Sequence, residues 1–121
     1  MPEIEYVEDR MESEELLERL CPPVRNWFKD KFPDFTEPQK VAIPRILNGE
    51  HLLLCSPTGS GKTLTAFLTI IDDLVRRSLD GSLPDAVQCV YISPIKALAN
   101  DIEKNLLGPL GEIKERYLPS R

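Results

Sequence analysis

Apolar residues recur at helical spacing in several separate stretches of this chain and form short unbroken runs in two others. Leu16, Leu17 and Leu20 share one face of a segment opened by Ser13-Glu14-Glu15, which reads as a serine N-cap with acids in the first turn. Pro22-Pro23 ends it, and a second short helix begins at Pro23 with Val24, Trp27 and Phe28 along one side. Trp27 and Phe28 read most simply as core anchors; a base-stacking role needs exposure. Thr36 followed three residues later by Gln39 is a capping box. The helix it opens runs to about Leu47, carries Val41, Ala42, Ile43, Ile46 and Leu47, and stops at Asn48-Gly49. Pro44 should kink it, because proline cannot donate to the carbonyl of Lys40.

The run Leu52–Cys55 predicts a strand. From about Lys62 to Ser78 a broad stripe of Leu64, Phe67, Leu68, Ile71, Leu74 and Val75 predicts a helix. Gly81 and Pro84 mark a polar connection, and the β-branched segment Ala86–Ser93 predicts a strand buried on both faces. Leu98, Ile102 and Leu106 mark the buried side of a helix that Gly108-Pro109 breaks, with a last short helix to about Tyr117. Strands alternating with helices predict an α/β fold, a parallel sheet covered on both faces and joined by right-handed crossovers.

A chain of 121 residues suits one domain or part of one. Its net charge of −5 is unevenly spread: residues 1–20 carry eight acids and two bases, the remainder twelve acids and thirteen bases. Residues 1–12 therefore read as an acidic lead, extended or disordered, and the acidity does not argue against a nucleic-acid partner for the rest. Cys21, Cys55 and Cys89 have no metal-ligand spacing, and the sole His51 reads as a loop residue. With no signal peptide pattern and no long apolar run, the default location is cytoplasmic, with reduced thiols.

Candidate chemistry concentrates at Ser56–Thr63, Ser-Pro-Thr-Gly-Ser-Gly-Lys-Thr, between the apolar run and the amphipathic helix. Gly59 and Gly61 let consecutive N–H groups point into one nest, and the helix N-terminus adds unpaired donors and partial positive charge. Lys62 can reach the β- and γ-phosphates, and the Thr63 hydroxyl can ligate Mg²⁺. Ser56 stands where the strict phosphate-loop pattern has glycine. The bland reading, a strand-to-helix turn that binds nothing, is disfavoured by Gly-x-Gly-Lys-Thr in this context. On spacing alone Gln39 reads as a capping residue, and Pro94–Leu98 as an ordinary strand–helix joint with a solvated lysine.

Taken together these segments resemble the N-terminal part of the first motor domain of superfamily 2 DEAD/DEAH-type helicases, most like the large helicase-related (Lhr) type, over about Trp27 to Ile113. Ser56–Thr63 is similar to motif I in the form those helicases use. Phe32-x-x-x-Thr36-x-x-Gln39 resembles the adenine-sensing Q motif, with Phe35 where many relatives have proline. Tyr91–Asp101 is similar to motif Ia, which touches the single-strand backbone. The resemblance implies an incomplete RecA-like P-loop sheet preceded by short helices, residues 13–121 forming the N-terminal part of an ATP-binding domain. It also implies ATP with Mg²⁺ held by Thr58, Gly59, Ser60, Gly61, Lys62, Thr63 and Leu64, with Phe32, Thr36 and Gln39 at the adenine. Lys62 and Thr63 would act in catalysis, with Thr63 on the metal. Pro94, Lys96, Ala97 and Asn100 would meet single-stranded or partly duplex DNA or RNA.

The acid-rich Walker B motif does not occur in this sequence, and Asp72-Asp73, inside a helix, does not replace it. Phosphoryl transfer needs a carboxylate for Mg²⁺ and water and positive charge on the γ-phosphate. The expectation is thus a piece of a longer ATP-dependent helicase, incomplete for turnover by itself. The alternative is a non-catalytic nucleotide- or nucleic-acid-binding module. A nucleotide kinase explains neither Phe32–Gln39 nor Tyr91–Asp101.

Overall fold

The computed structural model describes residues 9–55, 62–90, 92, 100 and 102–118. Its regular structure is helical: α1 (Ser13–Arg19), α2 (Pro22–Lys31), α3 (Glu37–Leu47), α4 (Lys62–Asp80), a π-helical turn (Glu103–Leu107) and α5 (Gly108–Arg116). Leu16, Leu20, Val24, Trp27, Phe28, Phe35, Ile43, Leu68, Ile71, Val75 and Ile113 form one buried cluster among the described residues, so each of these five α-helices contributes to it. α3 packs on α4, and α2 packs on both α4 and α5.

Local chemistry explains the boundaries. α1 begins at Ser13, but its N-cap is Glu12, whose side chain makes no capping bond. The Ser13 hydroxyl instead donates to the Asp34 carboxylate across the chain, a charge-assisted bond, so the expected serine cap is corrected. α2 starts on Pro22, one residue before the expected Pro23; prolines suit this first turn, where N–H groups have no helical partner. α3 runs through Pro44 to Leu47. The Lys40 carbonyl, which Pro44 cannot serve, accepts the backbone N–H of Met11 at 3.0 Å. Asn48-Gly49 ends the helix as expected, Gly49 taking φ of 82° with its N–H on the Ile46 carbonyl at 2.9 Å.

Gly108-Pro109 does not break the final helical stretch; it opens α5 directly from the π-helical turn. The Gly108 N–H reaches back to the Glu103 carbonyl, one residue further than in an α-helix. That wider turn leads into α5, with Pro109 in its first turn.

The expected strands are not formed among the described residues. Residues 51–55, 86–90 and 92 have no regular structure, and Tyr91 and Ser93 lie outside the described residues. Leu53, Val87, Val90 and Ile92 are 85, 84, 76 and 89% exposed, where a buried parallel strand would cover them. The reason is topological. Parallel strands need neighbours and crossover helices on both faces, and a lone pair of strands is marginal in water.

Candidate nucleotide site

Lys62 and Thr63 open α4, a helix of 19 residues. The nest residues Thr58, Gly59, Ser60 and Gly61 lie outside the described residues. Lys62 is half-buried, Thr63 is exposed, and Leu64 packs against the core. No acid occupies the first turn of α4, so nothing within that turn offsets its N-terminal partial charge or the lysine. Buried Thr65, Phe67, Leu68 and Ile71 fix the same helix from below. The Thr69 hydroxyl donates back to the Ala66 carbonyl at 2.7 Å, closing its polar demand within α4. A cation, an exposed hydroxyl and an acid-free helix start are a donor set that fits a magnesium nucleotide.

The capping box is formed as expected. Gln39 Oε1 accepts from the Thr36 N–H at 2.8 Å, and Thr36 Oγ1 accepts from the Gln39 N–H at 3.4 Å. Gln39 is buried, 3% exposed, on the helix that packs against α4. The preceding loop is set by aromatic packing. Phe28 stacks on Phe35 with centroids 4.1 Å apart and on Phe32 at 5.0 Å, and Trp27 meets Phe32 edge-on at 5.8 Å. Phe35 thus anchors the loop into the core. Trp27 and Phe28 are each 2% exposed, so they serve as core anchors and offer no face to a base.

Charged groups flank Gln39. The Arg10 guanidinium donates to Glu37 at 2.6 Å and holds that carboxyl below its ordinary range. Hydrogen bonds from the Ser13 hydroxyl, first, and the Phe35 N–H do the same for Asp34. Lys40 lies 3.6 Å from Glu37 and 3.9 Å from Asp34.

Of the residues expected at a nucleic-acid strand, Pro94, Lys96 and Ala97 lie outside the described residues, and Asn100 is exposed. A cavity of about 520 Å³ lies along the later turns of α4, lined by Arg19, Ile46, Leu47, Ile70 and Leu74 among others, and does not include Gln39, Lys62 or Thr63.

Sequence reasoning set Asp72 aside, and the structure gives it a strong role. Its carboxylate is 1% exposed, accepts the Cys21 N–H at 2.7 Å and pairs with Arg76 at 3.0 Å. The Cys21 N–H sits at the start of α2, so Asp72 ties α4 to the N-terminus of α2, where helix polarity favours an anion. Arg76 also donates to the Arg19 carbonyl at 2.8 Å, closing the gap between α1 and α2. Burial, first, and the Asp72 charge push the Cys21 thiol up to about 11. The available signal was a lone acid on the apolar stripe of α4, between Ile71 and Val75.

A family profile described as DEAD/DEAH box helicase matches residues 36–117. The chain is 49% identical over 113 residues to the ATP-dependent helicase Lhr-Core of Methanocaldococcus jannaschii, covering 93% of this chain and 13% of that protein. It is 57% identical over 96 residues to the Lhr-Core helicase of Methanothermobacter thermautotrophicus, covering 79% of this chain and 11% of that protein. To the Lhr helicase/uracil glycosylase of Escherichia coli it is 39% identical over 100 residues, 79% of this chain and 6% of that protein. It therefore spans about an eighth of the Lhr-Core relatives or less. No solved structure gives a significant match. No helix among the described residues is long and apolar enough to cross a membrane. With more than half its length matched by that profile, the chain belongs to the DEAD/DEAH box helicase family.

Proposed function

We propose that this chain is the nucleotide-gripping part of a cytoplasmic ATP-dependent nucleic-acid helicase. Residues 13–121 form the N-terminal part of its RecA-like ATP-binding domain, behind the lead of residues 1–12. The observation that carries this reading is the packed pair α3–α4. One helix presents the Gln39 capping box, and the other opens on Lys62 and Thr63 with no acid in its first turn. Gly59, Ser60 and Gly61 donate backbone N–H groups to the phosphates, with Thr58 and Leu64 flanking them; Lys62 holds the β- and γ-phosphates, and the Thr63 hydroxyl takes Mg²⁺. Mg²⁺, held through the Thr63 hydroxyl, would supply positive charge that offsets the charge of the phosphates. Gln39, whose buried amide also accepts from the Thr36 N–H, reads the adenine edge, with Phe32 contributing to the same subsite.

Turnover needs a metal-holding carboxylate and a cation on the γ-phosphate. In this reading the longer protein supplies both, and ATP-driven translocation or unwinding belongs to it. Pro94, Lys96, Ala97 and Asn100 hold the backbone of single-stranded or partly duplex DNA or RNA, in contacts independent of base sequence.

The reading is tested at both ligands. Gln39→Ala lowers affinity for ATP while leaving affinity for GTP within about twofold, because only adenine presents the edge Gln39 reads. Lys96→Ala weakens single-strand binding uniformly across sequences and reduces the salt slope by about one. Equal losses for ATP and GTP, with an unchanged salt slope, contradict the assignment.

A further inference from the structure

The end of the acidic lead is built into the adenine side of the site. Arg10, Met11 and Ser13 each contact the segment that carries Gln39: Arg10 pairs with Glu37, the Met11 N–H donates to the Lys40 carbonyl at 3.0 Å, and the Ser13 hydroxyl donates to Asp34. Glu37 and Lys40 are two residues before and one after Gln39, and Met11 packs against the core. The middle bond has a specific cause. Pro44 leaves the Lys40 carbonyl without its helical donor, and the N-terminal backbone supplies one. The side-chain pairs are surface contacts worth little alone. The backbone bond fills a gap written into α3.

We infer that residues 10–13 are a positioning strap for the adenine subsite, closing the proline gap in α3 so that Gln39 is held ready for the base. This rests on Gln39 reading adenine. A strap that preorganises one end of the site changes affinity for a ligand using that end and leaves ligands of the phosphate end alone. The inference therefore separates ATP from inorganic tripolyphosphate, which occupies only the phosphate end.

The test is calorimetric titration of the full chain with ATP and with tripolyphosphate, each with Mg²⁺. Met11→Pro deletes the donor, and Arg10→Ala/Ser13→Ala removes the two side-chain anchors while keeping it. The expected result is about a tenfold loss of ATP affinity in Met11→Pro, a smaller loss in the double variant, and unchanged tripolyphosphate affinity in both. Pro44→Ala restores a donor within α3, so adding it to Met11→Pro recovers most of the ATP affinity. Parallel loss of both ligands, or unchanged ATP affinity in Met11→Pro, overturns the strap's role. Gln39→Ala in the same titrations separates the two ideas: lost ATP affinity there, with none lost in Met11→Pro, removes the strap and keeps the adenine reading. Unchanged ATP affinity in Gln39→Ala removes both.

Discussion

At the scale of single residues, the sequence exposes chemistry more readily than burial. Lys62 and Thr63 stand out in the sequence, and are proposed for the site, because a phosphate nest uses those residue types in that order. Gln39 is legible as a cap because Thr36 stands three residues before it, and the capping box is present. The burial of Asp72 had a local signal in its place on the apolar stripe, but its bond to the Cys21 N–H did not, because that donor lies fifty-one residues away and no local pattern encodes such a contact. A carboxylate that is 1% exposed with two donors is costly to remove. Asp72→Ala leaves the Cys21 N–H and Arg76 without it and is expected to cost about 3 kcal/mol in urea unfolding. Asp72→Asn keeps an acceptor for Cys21 and should cost roughly half as much. Equal and small effects for both variants would show that the tie between α4 and α2 is not formed in solution.

At the scale of elements, the helices follow the apolar spacing closely because their signals are local: acids at the start of α1, prolines at α2, the box at α3 and the stripe on α4. The stop at Gly49 is equally local. Its φ of 82° is open to glycine and strained for other residues, so Gly49→Ala is expected to lower stability by about 1 kcal/mol in thermal unfolding. An unchanged or raised Tm contradicts that. The fate of Gly108-Pro109 was not legible, since whether a proline ends a helix or opens the next one depends on the width of the turn before it.

The last helix is tied to α2 through Glu112, which accepts from the Trp27 indole at 2.8 Å and from Lys31 at 3.0 Å. The indole bond, first, and that with Lys31 hold the Glu112 carboxyl below its ordinary value of 4.5. The sign is that of a depressed acid. Its contribution to stability is present above about pH 4.5 and is lost as pH falls through the lower folded value. Thermal unfolding should therefore show a smaller drop in Tm between pH 6 and about 3.5 for Glu112→Gln than for the parent. Identical pH dependence of the two proteins would assign the acid sensitivity elsewhere.

At the scale of the whole molecule, the sequence reading and the described structure diverge most. The helical core forms among the described residues, because its contacts are carried by amphipathic segments packed pairwise, α3 on α4 and α2 on α4 and α5. The strands expected at Leu52–Cys55 and Ala86–Ser93 do not pair among the described residues, because sheet formation is non-local and two candidate strands are too few. Membership of the DEAD/DEAH box helicase family came from motifs, which need only a short stretch of chain, and the family comparison supports it over residues 36–117. The central claim is that Lys62, at the start of α4, grips the phosphates of ATP. Calorimetric titration of this chain with magnesium ATP, beside Lys62→Ala, tests it most directly. The account predicts saturable one-to-one binding that falls by at least about a hundredfold in the variant, as expected when a half-buried charge on phosphate is deleted. Equal ATP affinity in the two proteins would contradict it.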